Sequence, residues 1–227
     1  MSDAKMSGKI VLKQVMEVQM SCVSKRNSLI MLMSVIFCVF VLTSYQIVYA
    51  GEPTEYIRQS VDSVIAIVNN KELQGPGKKT ERRAKMREII DKIFDFREMS
   101  KRALALNWIK RTPEEQKEFS SLFADLIEAT YASKIEKYNG EKIVYTGESI
   151  DDGNAVVKTN IITHSNTEVP LDYRLLKEGA NWMVYDVVIE GVSLVNNYRT
   201  QFNQIIHSGS YEELVKKMKQ KTLHEPK

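Results

Sequence analysis

The chain has 227 residues, 32 Lys and Arg against 29 Asp and Glu, a formal net charge of +3 and two cysteines. That length suits one domain with a sizeable core, and so even a charge balance excludes bulk nucleic-acid binding, which needs a net basic face. Both cysteines, Cys22 and Cys38, lie in the first fifty residues, so the rest has neither a disulfide framework nor a thiolate nucleophile.

The first fifty residues form a leader. Lys25 and Arg26 precede the uncharged run Ser28 to Leu42, and Val48 and Ala50 supply small residues before a cleavage point. A basic patch, an apolar run of about 15 residues and such a point make a secretory signal peptide. The expected division is a leader over 1–50, cut after Ala50, and one domain over 51–227. An uncleaved anchor is the rival reading, but the run is short of the ~20 residues a span needs. Residues 1–19 do not suit a signal peptide, which points to Met16 or Met20 as the true start. The leader takes five basic and two acidic residues, leaving 27 of each beyond it. Export to the periplasm is the expected fate, and a cysteine-free domain is compatible with that oxidising compartment.

Helices come first. Ile57, Val61, Val64, Ile65 and Val68 recur at helical spacing, and Gly75, Pro76 and Gly77 then break the pattern. Met86, Ile89, Ile90 and Ile93 resume it. Asp95, with Glu98 three residues on, starts another helix. Thr112, Pro113 and Glu115 form a capping-box start. The helix behind them carries Phe119, Leu122, Phe123, Leu126, Ile127, Thr130 and Tyr131, a stripe expected to run on to Ile135 and Tyr138.

From Glu141 the period changes to two. "KIVYTGESI", "AVVKTNIITH", "EVPLDYRLLKE" and "NWMVYDVVIE" read as strands, with "DDGN", "SNT" and "EGAN" as hairpin turns. Helical spacing returns at Leu194, Val195, Tyr198, Phe202, Ile205 and Ile206, and Ser210 with Glu213 starts a last helix. The expected fold class is α+β: several helices packed on a mainly antiparallel four-stranded sheet.

The chemistry is sparse. Asp186 and Glu190, four apart on one strand, lie about 13 Å from each other at ~3.3 Å per residue, beyond the reach of a carboxylate pair. Alternation puts Met183, Tyr185, Val187 and Ile189 on one apolar face and both acids on the other. Asp186, Glu190 and Gly191 are therefore expected to be structural, with the acids bonding backbone N–H groups at the strand-to-helix junction. His164, His207 and His224 are dispersed, so no catalytic residue and no metal site is expected. The adjacent apolar pairs Val156–Val157, Ile161–Ile162 and Leu175–Leu176 mark strands that are buried on both sides or line a cavity.

"TPEEQKEFSSLFADLIEATYASKI", "FDFREMSKRALALNWIKRTPEE" and "NWMVYDVVIEGVSLVNNYRTQFNQII" resemble the MlaC, or toluene-tolerance auxiliary, family. The resemblance implies helices on a curved sheet with a lipid-tail pocket between them. It implies a periplasmic phospholipid carrier, not an enzyme, with no cofactor and a phospholipid as cargo. The implied partners are an inner-membrane ABC transporter complex with its lipid-binding subunit and an outer-membrane lipoprotein–porin complex, in a system that maintains outer-membrane lipid asymmetry. The apolar faces supply the pocket candidates: Phe123, Ile127 and Tyr131; Tyr173 and Leu175; Tyr185, Val187 and Ile189; Leu194, Tyr198 and Phe202. Two alternatives stand beside this: a small-molecule enzyme in which Asp186 meets Tyr173 or His164, and a structural adaptor holding a partner helix in an apolar groove.

Overall fold

The computed structural model describes residues 52–224; the leader and its cleavage point lie outside the described residues. The chain opens with α1 (Glu52–Asn69), two short 3-10 turns through the Gly75–Gly77 break, and α2 (Lys79–Ile93). Asp95 then caps α3 (Phe96–Leu104), accepting from the Glu98 N–H. A 3-10 segment (Ala105–Lys110) leads to α4 (Pro113–Ile135). There Thr112 and Glu115 make both bonds of the capping box, and the helix stops at Ile135, one turn short of Tyr138. Arginines of α2 bridge to α4. Arg82 and Arg83 reach Glu136 just past its end, at 2.7 and 3.1 Å. Arg87 reaches Asp125 and Glu128, as well as Asp91 on its own helix.

The sheet is an antiparallel meander in the order β1 (Lys142–Asp151), β2 (Asn154–Ile162), β3 (Glu168–Glu178), β4 (Asn181–Ile189) and β5 (Val192–Ser193). It has five strands where the sequence pattern showed four. The fifth is a two-residue return that the helical reading after Gly191 had absorbed. Its turn places Glu190 at φ 50° and Gly191 at φ 80°. Positive φ at both central residues is what a two-residue hairpin demands, and Asp152 and Gly153 meet the same demand between β1 and β2.

Two bulges bend the meander. One follows Tyr145 in β1, beside Gly147. The other makes Tyr185 an extra residue in β4, because Arg174 faces Asp186 while Leu175 faces Val184. The second bulge corrects the expected alternation. Trp182 and Val184 share a face with Val187 and Ile189, and Asp186 takes the opposite face.

Helices α5 (Leu194–Ser208) and α6 (Tyr211–His224) follow the sheet. They pack with α3, α4 and Trp108 into a helical core of Met99, Leu104, Phe119, Phe123, Tyr198, Phe202 and Leu214. A second core lies between the sheet and α1–α2: Ile57, Ile93, Ala155, Val157, Leu175, Trp182 and Val184. Phe94 packs against both.

Asp186 joins sheet to helices. Only 3% exposed, it accepts from the Val195 N–H at 3.0 Å, from Ser193 Oγ at 2.7 Å and from Arg174 at 3.2 Å. Ser193 in turn caps α5 by accepting from the Asn196 N–H. Asp186 thus bonds a backbone N–H at the strand-to-helix junction. Glu190 acts differently: its own N–H donates to Pro170 O while its side chain stays exposed, so it shapes the turn through its backbone. Asp186→Ala leaves a buried N–H and a hydroxyl without their acceptor, each hydrogen bond to a charged group being worth about 1.5–3 kcal/mol. Urea unfolding should show a loss of about 2–4 kcal/mol with the slope unchanged.

Candidate functional site

The core under α1 and α2 is not uniformly filled. Reading across the strand register, the row Ala155–Leu175–Val184 is closed, at 0–2% exposure, beneath Ile57 and Ile93. The next row is Val157–Tyr173–Val187, in which only Tyr173 keeps more than marginal surface. The row beyond is Tyr145–Thr159–Leu171–Ile189, and there only Thr159 is fully buried. Val61 of α1 and Ile89 of α2, also partly buried, pack against the same cluster. We call this apolar face between sheet and helix pair, covered at one end and partly accessible at the other, the cleft.

Two phenols mark the open part. Tyr173 is enclosed enough for desolvation to push its ionisation well above the ordinary phenol value, with the nearby Tyr145 adding to the shift. Yet its side chain keeps accessible surface. Tyr145 is pushed up to about 12, chiefly by burial, with Arg58 opposing. The Arg58 guanidinium lies over the Tyr145 ring at 4.1 Å and pairs with Glu55 at 3.6 Å.

The cleft wall is fixed at the start of α1. Thr54 donates both its N–H, at 2.8 Å, and its hydroxyl, at 2.6 Å, to Glu148 of β1. A carboxylate at a helix N-terminus satisfies its open donors and faces the positive end of its dipole. Glu52 adds bonds to Trp182 Nε1 and Lys177, each at 3.3 Å.

The sequence candidates fall into four places. Tyr173, Leu175, Val187 and Ile189 lie on the cleft face. Phe123, Leu194, Tyr198 and Phe202 lie in the helical core, 0–7% exposed, with Phe123 edge-on to Tyr198 and Phe202 at 5.1 and 5.4 Å. Their surface is spent on one another. Ile127 and Tyr131 sit at the border of that core. Tyr185 is set apart by the bulge, its ring under Arg102 at 4.0 Å. Tyr145, Leu171, Val61 and Ile89 are absent from the sequence candidates, although helical spacing marks Val61 and Ile89 as apolar-face residues. For Tyr145 a signal existed, since Gly147 inside a strand marks the bulge that redirects the chain.

Asp186 faces away from Tyr173, and His164 is an exposed residue beside Asn139 O. Among the described residues no group of three or more His, Cys, Asp or Glu could hold a metal ion. No described helix is long and apolar enough to cross a membrane.

A family model described as MlaC protein matches residues 58–220. The toluene tolerance protein ttg2D of Pseudomonas putida is 25% identical over 119 residues, 52% of this chain and 55% of that protein. The intermembrane phospholipid transport system binding protein MlaC of Haemophilus influenzae is 31% identical over 120 residues, 50% of this chain and 56% of that one. The chain thus spans about half the length of the curated relatives it matches. Among solved structures, a phospholipid-binding protein from Ralstonia solanacearum, in complex with a phospholipid, superposes with a TM-score of 0.70. It is 26% identical, over 78% of this chain and all of that one.

The cleft phenols give a pH prediction. A phenol held protonated by burial favours the folded state until the unfolded chain begins to ionise at its ordinary value of 10.0. The folded state binds more protons above that point, so stability falls as pH rises from 10 towards 12. Denaturation series across this range should show the fall, and Tyr145→Phe should make it shallower.

Proposed function

The chain belongs to the MlaC protein family, and on that premise we propose that it is a periplasmic phospholipid carrier whose acyl-chain site is the cleft between the sheet and α1–α2. The tails lie along Leu171, Tyr173, Val187 and Ile189, with Val61 and Ile89 above them. The headgroup stays at the open end, near Arg58. The observation that carries this reading is the graded exposure of one continuous apolar face, ending in two partly accessible phenols.

The energetics suit a carrier. Two acyl chains with roughly 30 methylenes gain about 24 kcal/mol in leaving water, so a lone lipid needs shielding to cross an aqueous compartment. Moving between bilayer and cleft exchanges one apolar environment for another and can stay close to balance. No covalent step is required, and the phospholipid is cargo rather than cofactor. Direction then comes from the partners: an inner-membrane ABC transporter complex with its lipid-binding subunit, and an outer-membrane lipoprotein–porin complex. Shuttling between them maintains outer-membrane lipid asymmetry. The leader over 1–50 delivers the domain over 51–227 to the periplasm.

Mass spectrometry of organic extracts from the purified protein tests the reading, with stoichiometric phospholipid as the expected result. Tyr173→Asp places an unpaired charge on the cleft face and should lower retained lipid at least about tenfold, since one such charge costs several kcal/mol. Tyr185→Asp, off that face, should retain it. No stoichiometric lipid in the wild type, even after incubation with liposomes, overturns the carrier. Equal loss in the two folded variants overturns the choice of face.

A further inference from the structure

The short turn between α3 and α4 inverts the usual order of burial. Leu106 is 76% exposed and Ile109 78% exposed, more than any other large apolar side chains among the described residues. In a 3-10 segment, positions three apart lie on the same side. Between them the polar Asn107 is turned inward, its Nδ2 donating to Asn203 Oδ1 at 3.2 Å. Trp108, 5% exposed, roots the turn in the helical core.

The turn is built rather than loose. Ala105 holds φ 49° and ψ −122°, a region that suits glycine. Such strain persists where the surroundings over-determine it. The Ala105 N–H donates to Lys101 O and the Arg111 N–H to Trp108 O, while the Gln116 side chain donates to Trp108 O and Arg111 O. Two aliphatic side chains are thus fixed outward.

Cations surround them in the chain. Residues 96–111 carry Arg97, Lys101, Arg102, Lys110 and Arg111 against the single acid Glu98, and Glu98 is already paired with Lys101 and Arg102, each at 2.9 Å. Protruding apolar side chains with an excess of cations beside them in the chain match an anionic bilayer surface; Arg111 is itself paired with Glu115 at 3.4 Å. The aliphatic groups enter the headgroup boundary without needing a complementary groove, and the cations stay at headgroup level. We propose that the Ala105–Lys110 turn is a membrane-contact element that docks this protein on an anionic phospholipid surface. It belongs to the helical core, whereas the cleft belongs to the other core, so docking and tail-holding reside in different residues.

Vesicle flotation tests it, using phosphatidylethanolamine with phosphatidylglycerol, and phosphatidylcholine alone as the uncharged control. The wild type should float with the anionic vesicles at low salt and far less with the control. The double variant Leu106→Ser/Ile109→Ser changes only exposed groups. It should lose at least about tenfold in partition, with an unchanged melting midpoint and an unchanged lipid content on extraction. Lys101→Glu/Lys110→Glu should lose the preference for anionic vesicles. A wild type that does not float, or a serine variant that floats equally well, overturns the proposal. A serine variant that floats normally but no longer captures a membrane-free protein partner overturns it too, in favour of a protein-docking surface. Lipid content on extraction is read separately, so failure of the carrier reading is distinguishable from failure of this one.

Discussion

One extra residue in β4 sets the arrangement of everything around it. The bulge at Tyr185 turns Trp182 and Val184 onto the same face as Val187 and Ile189, and sends Asp186 to the other. The first group makes the floor of the cleft. On the far side, Asp186 meets Ser193 and the Val195 N–H and fixes where α5 begins. At the bulge the Val184 carbonyl accepts from the Asp95 N–H at 2.9 Å, and Phe94 bridges to the strand. The link between α2 and α3 is therefore stitched to the sheet at the point where the strand breaks its own ladder. A bulge re-aims side chains and interrupts pairing; here both effects are used.

The wall of the cleft is held partly from outside. Helix α2 is tied to α4 through Arg82, Arg83 and Arg87. Burial works against the charge on Arg87, but hydrogen bonds to Asp91, Glu128 and Asp125 outweigh it and hold the guanidinium above its ordinary value. The more open Arg87 pairs are worth little singly, whereas Arg82, Arg83 and Glu136 are largely buried; together they position a helix without demanding apolar contact. The face of α2 toward the sheet is thus relieved of part of the work of anchoring, and Ile89 keeps free surface there.

What the sequence made legible was local. Thr112 with Glu115, Asp95 with Glu98 and Ser210 with Glu213 each form the cap that their spacing announces. Asp152–Gly153 forms its turn, and the change of period at Glu141 marks the sheet. What escaped was the assignment of partners. Phe123, Tyr198 and Phe202 lie on apolar helical stripes, and a stripe says which side is covered but not by what. The aromatic rings cover one another. The bulge at Tyr185 left no mark either, because no glycine accompanies it, whereas Gly147 stands beside its counterpart in β1. Once that alternation is broken, every face assignment in β4 on one side of the bulge reverses.

The bond from Thr54 to Glu148 has a temporal side. The two residues are 94 apart in sequence, and everything from α1 to the start of the sheet lies between them. The strands pair only with their neighbours in the chain, so the meander can zip hairpin by hairpin with small closure costs. Helix α1 has no such recourse. Its capping group is not yet synthesised when the helix itself is complete, and it reaches its place only when β1 does. The first element of the domain to be made is bound to wait for one of the strands it will cover.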